Sequence, residues 1–144
     1  MLRQTHHRIT IETRGPGFSD VTCAVKDWLR KLRAADGLLT VFVRHTSASL
    51  TIQENADPDV LRDLMAALDS TAPRGARYHH SVEGPDDMPA HIKSMFTSTS
   101  FGIPVLGGKA VLGTWQAIYL IEHRDQPHQR EIVLHYIGTR EQDL

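Results

Sequence analysis

From Phe101 to Gly138 one strand-patterned segment runs into the next, with only turns between them. Neighbouring parallel strands need a crossover of about a dozen or more residues, usually a helix, and this stretch has no room for one. The last third must therefore pair antiparallel, which removes alternating βαβ architectures. Length alone removes a TIM barrel, because 144 residues fall short of the ~200 that fold needs. Gly107-Gly108 reads as a hairpin turn within this stretch. Strand periodicity puts Trp115, Tyr119, Ile121 and His123 on one face of TWQAIYLIEH, with Trp115 and Tyr119 expected in the core. The same rule groups Ile132, Leu134 and Tyr136 in REIVLHYIG.

Helices belong to the first two thirds. Residues 5 to 13 alternate as a half-buried strand, Thr5, His7, Ile9 and Ile11 against His6, Arg8, Thr10 and Glu12. Arg14-Gly15-Pro16-Gly17 reads as a turn, and a helix is expected from Ser19 or Asp20. Its apolar stripe is Val21, Val25, Trp28, Leu29 and Leu32, with Gly37 just past its end. Residues 38 to 44 and 49 to 54 read as strands, the first buried and the second alternating. Asp57-Pro58 announces a second helix, striped by Val60, Leu61, Leu64, Met65 and Leu68. A long loop covers 71 to 87, and a short third helix fits 88 to 97, with Ile92, Met95 and Phe96 on one face. The pattern is a single α+β domain over 1–144: a mixed, largely antiparallel β-sheet or sandwich with two to three helices.

Charge narrows the partners. The formal net charge is -1, so no broad basic field exists for nucleic acid or an anionic membrane surface. No segment approaches the ~18 apolar residues of a spanning helix, and MLRQTHHRIT lacks a signal-like apolar block. A cytoplasmic protein is expected. The single cysteine, Cys23, reads as a small core residue of the first helix.

Nine histidines in a chain with one cysteine point to imidazole chemistry. His45 and His123 end strands, and His91 begins the third helix; element ends open onto clefts, so all three can face one metal site. His6, His7, His79, His80 and His128 read as independent surface residues, and His135 as a satisfied half-buried one. In Thr46-Ser47-Ala48-Ser49 the hydroxyls and backbone N–H groups of Thr46, Ser47 and Ser49 suit phosphate oxygens. Arg44, Lys93 and Arg124 flank the three histidines and could hold an anion. Glu54, Asp86 and Asp87 are candidate bases or ligand-orienting groups, although Asp87 reads more simply as a helix cap. No P-loop, no GxGxxG after a strand and no GxSxG is present.

Three blocks in this order resemble the YjbQ family. They are HTSASLTI with its continuation ENADP, EGPDDMPAHIKS, and GTWQAIYLIEHR. The resemblance spans nearly the whole chain and implies an α+β fold, a homotrimer, and a divalent metal held by His45, His91 and His123. It also implies a secondary thiamine-phosphate synthase, which joins a pyrimidine methyl diphosphate to a thiazole phosphate and releases pyrophosphate. On that basis Glu54, Asp86, Lys93 and Arg124 are expected to serve catalysis, and Thr46, Ser47 and Ser49 to bind a small phosphorylated substrate. Imidazole ligands favour zinc over magnesium. A metal-dependent hydrolase and a non-catalytic trimeric binding protein are the other readings. Ala117 stands where the family usually has glycine, and Asp125-Gln126-Pro127-His128-Gln129 replaces a glycine-rich stretch.

Overall fold

The computed structural model describes all 144 residues. Eight strands and three α-helices follow one another as β1 (Arg3–Thr13), β2 (Gly17–Asp20), α1 (Thr22–Leu32), β3 (Ala34–Val43), β4 (Ala48–Glu54), α2 (Pro58–Thr71), α3 (Asp87–Phe96), β5 (Ser100–Leu106), β6 (Lys109–Ala110), β7 (Gln116–Glu122) and β8 (His128–Arg140). One sheet has the order β1-β8-β3-β5-β6 and the other β2-β7-β4. Every pairing between these strands is antiparallel, as the crowded C-terminal third requires. The α+β fold class holds.

One apolar cluster joins both sheets to α1. Leu39, Val41, Ile103, Val105, Ile132, Leu134 and Tyr136 enter it from the larger sheet, Leu50, Ile118 and Leu120 from the smaller, and Val25 and Leu29 from the helix. Each fully buried aliphatic side chain contributes about 1.5–3 kcal/mol, so strand alternation organises most of the stabilising area. β7 differs, because Ala117 through Glu122 are buried on both faces. Its second face, Tyr119 and Ile121, lies outside the main cluster, and Ile121 borders a small cavity beneath α2 lined also by Leu64 and Leu68.

Several expectations need correction. Residues 17–20 form β2, paired to β7 from Gly17↔Glu122 to Asp20↔Tyr119; four residues after a Gly/Pro turn carry too little periodicity to read. Helix α1 begins later, at Thr22, whose N–H donates to the Asp20 carboxylate at 2.9 Å. That register turns Cys23 to solvent. Helix α1 stops at Arg33, which adopts φ 57, so Gly37 sits inside β3 opposite Gly138. There a side chain on Gly138 would lie 2.6 Å from the Gly37 Cα, and only glycine permits the approach. Trp115 lies just before β7 and is 62% exposed, and Met95 and Phe96 are exposed at the end of α3. Asp57 caps α2 as expected, accepting from the Asp59 N–H at 2.9 Å.

Candidate functional site

The first turn of α3 and the loop before it carry the most concentrated ligand chemistry. His80 Nε2 lies 2.6 Å from Asp87 Oδ2 and His91 Nε2 lies 3.1 Å from the same oxygen. Asp87 and His91 are four residues apart, one helical turn, so both project from the same side of α3. The loop brings His80 across to meet them, and its ring centroid stands 5.5 Å from that of His91. One ligand atom from each of the three lies within 4.8 Å of the others.

Tautomers sharpen this geometry. His91 Nδ1 sits 3.0 Å from the Thr46 carbonyl oxygen, which can only accept. The proton of a neutral His91 is therefore on Nδ1, and its bare Nε2 lone pair faces a carboxylate oxygen. Two acceptors pointed at each other need a cation between them, either a proton or a metal ion. A histidine whose second nitrogen donates to a backbone carbonyl is the usual arrangement of a metal ligand. Two imidazole nitrogens and one carboxylate oxygen suit zinc and related transition metals, so the residues present fit a divalent metal.

Arg124 fixes the carboxylates. Its Nη1 donates to Asp87 Oδ1 and its Nε to Asp86 Oδ2, both at 2.8 Å, while Nη2 reaches the Glu83 carbonyl at 3.0 Å. Burial pushes both carboxyls up. For Asp87, bonds led by that from His80, with the His91 and Arg124 charges, reverse this and hold it below its ordinary range. For Asp86 the Arg124 bond and the Asp125 amide do the same.

The expected triad is arranged differently. His45, His91 and His123 all surround the 45–49 loop, yet their nitrogens do not form one ligand group. His45 Nε2 accepts from the Glu131 amide at 2.8 Å. His123 is 2% exposed, and its Nε2 meets the Ser49 hydroxyl at 2.8 Å. Its Nδ1 is buried with no partner. Burial first, and then the Lys93 charge, lower its pKa to about 4, so the ring is neutral at physiological pH.

The residues expected to act in catalysis have other work. Lys93 Nζ is buried and donates to Asp69 at 2.6 Å. Arg124 commits one N–H from each of its three nitrogens to Asp86, Asp87 and the Glu83 carbonyl, so its first role is to position the carboxylates. Asp86 stays ionised beside Arg124 and is a poor proton acceptor. Glu54 lies at the far end of β4 and accepts from the Asp57 amide at 3.3 Å, a local contact before α2. Asp87 is no mere cap: the N-cap position falls on Asp86, and Asp87, in the first turn, is the carboxylate on which both histidines converge. Ser47 accepts from Arg130, Ser49 contacts His123 and Thr97, and Thr46 orients His91.

Comparison with known proteins agrees with this architecture. Residues 7–139 match the family model described as UPF0047 protein YjbQ-like. The chain belongs to the YjbQ family. It is 50% identical over 138 residues to a UPF0047 protein, sll1880, of Synechocystis, covering 95% of this chain and 94% of that one. Against UPF0047 protein YjbQ of Salmonella typhimurium the identity is 44% over 126 residues, 87% of this chain and 91% of the relative. A crystal structure of a YjbQ/UPF0047 family protein from Clostridium acetobutylicum superposes with TM-score 0.82 at 40% identity, covering 89% and 97% of the two chains. A YbjQ-like protein from Sulfolobus solfataricus reaches TM-score 0.89 at 22% identity over 96% and 100%, a likeness of fold alone.

Within this YjbQ-family chain, two functional groupings escape sequence reasoning. His80 lies in an aperiodic loop, and nothing local distinguishes it from His79. Glu122 and Arg130 form a buried ion pair, with Arg130 Nε donating to Glu122 Oε1 at 2.7 Å and Nη2 to Oε2. Thr13 donates to the same carboxylate at 2.6 Å. The available signal was a glutamate closing the apolar strand run AIYLI, where a buried carboxylate demands a partner.

Proposed function

We propose that this chain is a metal-dependent enzyme acting on a phosphorylated small molecule, of the secondary thiamine-phosphate synthase type. The reaction joins a pyrimidine methyl diphosphate to a thiazole phosphate with release of pyrophosphate. One observation carries the reading: His91 is oriented by the Thr46 carbonyl so that its bare Nε2 shares Asp87 Oδ2 with His80. His80, Asp87 and His91 would hold the ion, with zinc favoured over magnesium by the two imidazoles. A divalent ion there supplies neutralisation of the charge that builds on a leaving pyrophosphate. The protein's part is positional. Arg124 locks the Asp87 carboxylate, Thr46 locks the His91 ring, and the 45–49 loop offers hydroxyls to the anionic end of the substrate.

Assembly as a cytoplasmic homotrimer completes the proposal. Supporting it is the outer face of the larger sheet, where Leu38 pairs with Ile137 and Phe42 lies further along β3 on the same face, all three 43–44% exposed; sedimentation equilibrium tests it. No helix is long and apolar enough to cross a membrane.

Elemental analysis of protein purified without chelator tests the site. His80→Ala and His91→Ala should lose the metal while His45→Ala and His123→Ala keep it. Loss in His45→Ala and His123→Ala with retention in His80→Ala would return the site to the three-segment triad. Pyrophosphate release requiring both precursors supports the transferase. Phosphate release from one precursor in water indicates a hydrolase, and metal binding without turnover a binding protein.

A further inference from the structure

Beside the His80–Asp87–His91 cluster lies a groove of about 480 Å³ whose polar lining is Arg44, His45, Thr46, Ser47, Thr99 and Arg130. Thr46 belongs to both places, since its carbonyl accepts from His91. No carboxylate lines the groove. Glu131 and Glu122 stand behind it, and they are met by three guanidinium groups: Arg8 and Arg44 on Glu131, Arg130 on Glu122. The local charge is thus positive by one in a chain whose formal net charge is -1.

His45 defines what this groove recognises. A main-chain N–H can only donate, so Nε2, which accepts from Glu131, carries no proton. The ring is therefore neutral with its proton on Nδ1, and that N–H makes no hydrogen bond within the protein. Coordination of a metal through Nε2 would break the Glu131 bond, and through Nδ1 would displace the proton. The Ser47 hydroxyl accepts from Arg130 at 3.1 Å, which leaves its own O–H free to donate. The Thr46 and Thr99 hydroxyls add two more donors. An acceptor-only, anionic group matches such a lining, and phosphate oxygens are of that kind.

We propose that this groove seats the phosphate or diphosphate end of the substrate, with His45 serving as a neutral hydrogen-bond donor through Nδ1–H and not as a metal ligand. The proposal rests on the reading above that the substrate is phosphorylated, but it does not require the metal.

The test uses full-length protein stripped of metal by chelation and titrated with inorganic pyrophosphate. Wild type should bind, and His45→Ala should weaken binding about ten- to hundred-fold, the scale of one hydrogen bond to a charged group. Thr99→Val should weaken it less. Arg30→Gln, in a separate basic cavity formed by α1 and the β5–β6 hairpin, should leave it unchanged. Long-range proton–nitrogen NMR on wild type should report His45 as the Nδ1–H tautomer and show that nitrogen shifting as pyrophosphate is added. The proposal is overturned if metal-free wild type binds no pyrophosphate, if His45→Ala binds equally well, if Arg30→Gln loses binding to the same degree, or if His45 carries its proton on Nε2. A normal metal content with no pyrophosphate binding would defeat this inference alone. Pyrophosphate binding with no metal retained would defeat only the metal site.

Discussion

Replacing Glu122 by Gln should cost more than any comparable change of a surface charge. Glu122 is 1% exposed and Arg130 4% exposed. The carboxylate accepts from Arg130 through both oxygens, from Thr13, and from the His123 and Arg124 amides at 3.1 Å. Neutralising it strands the guanidinium in the interior, and breaking a buried pair in this way costs about 3–5 kcal/mol. Against a total stability of about 5–15 kcal/mol, that is a large fraction. Urea unfolding followed by circular dichroism at pH 7 measures it. The double variant Glu122→Gln/Arg130→Met removes both charges and should recover part of the loss, giving a coupling energy of about 2 kcal/mol or more. Asp27→Asn, which breaks the exposed Asp27–Arg30 pair, is the control and should change stability by less than about 0.5 kcal/mol. The reasoning fails if Glu122→Gln costs no more than that control, or if the double variant loses the sum of the single losses. Success would also explain how β7 delivers Arg124 to Asp86 and Asp87, since the same carboxylate holds the Arg124 amide.

Three further outcomes follow from the site and the sheet. His123 has its pKa lowered from 6.5 to about 4, so its stabilising contribution is complete above pH 6.5, falls as the unfolded state takes up protons, and is fully lost near pH 4. Metal-free wild type should therefore lose about 2 kcal/mol more than His123→Gln between pH 8 and pH 5, and parallel stability curves would contradict this. Arg124→Leu should reduce metal affinity by about ten- to hundred-fold with little change in the far-ultraviolet spectrum, a result checked by competition with a colorimetric chelator. Gly138→Ala forces β3 and β8 apart where Gly37 and Gly138 face each other. It should cost about 1–3 kcal/mol and lower Tm by several degrees in a thermal scan.

Much of the fold was legible because periodicity is local. Alternation in Ile132-Leu134-Tyr136 describes a strand whether or not its partner is known, and Asp57-Pro58 starts a helix through its own backbone chemistry. Cys23, Trp115 and Phe96 went astray for the opposite reason. Their burial depends on helix register and on where a strand ends, and a shift of one or two residues reverses the outcome.

The site divides along the same line. His91 and the 45–49 loop were visible in the chain, because metal and phosphate chemistry use few residue types and these stood at element ends. Only the tertiary structure set His80 beside Asp87, turned Asp87 from a presumed cap into the meeting point of two histidines, and tied Arg124, Lys93 and Asp86 into ion pairs. Residue type determines what a side chain can do. Distance to partners remote in sequence determines which of those things it does, and hydrogen bonds, ion pairs and ligand sets are all short-ranged enough to depend on that distance.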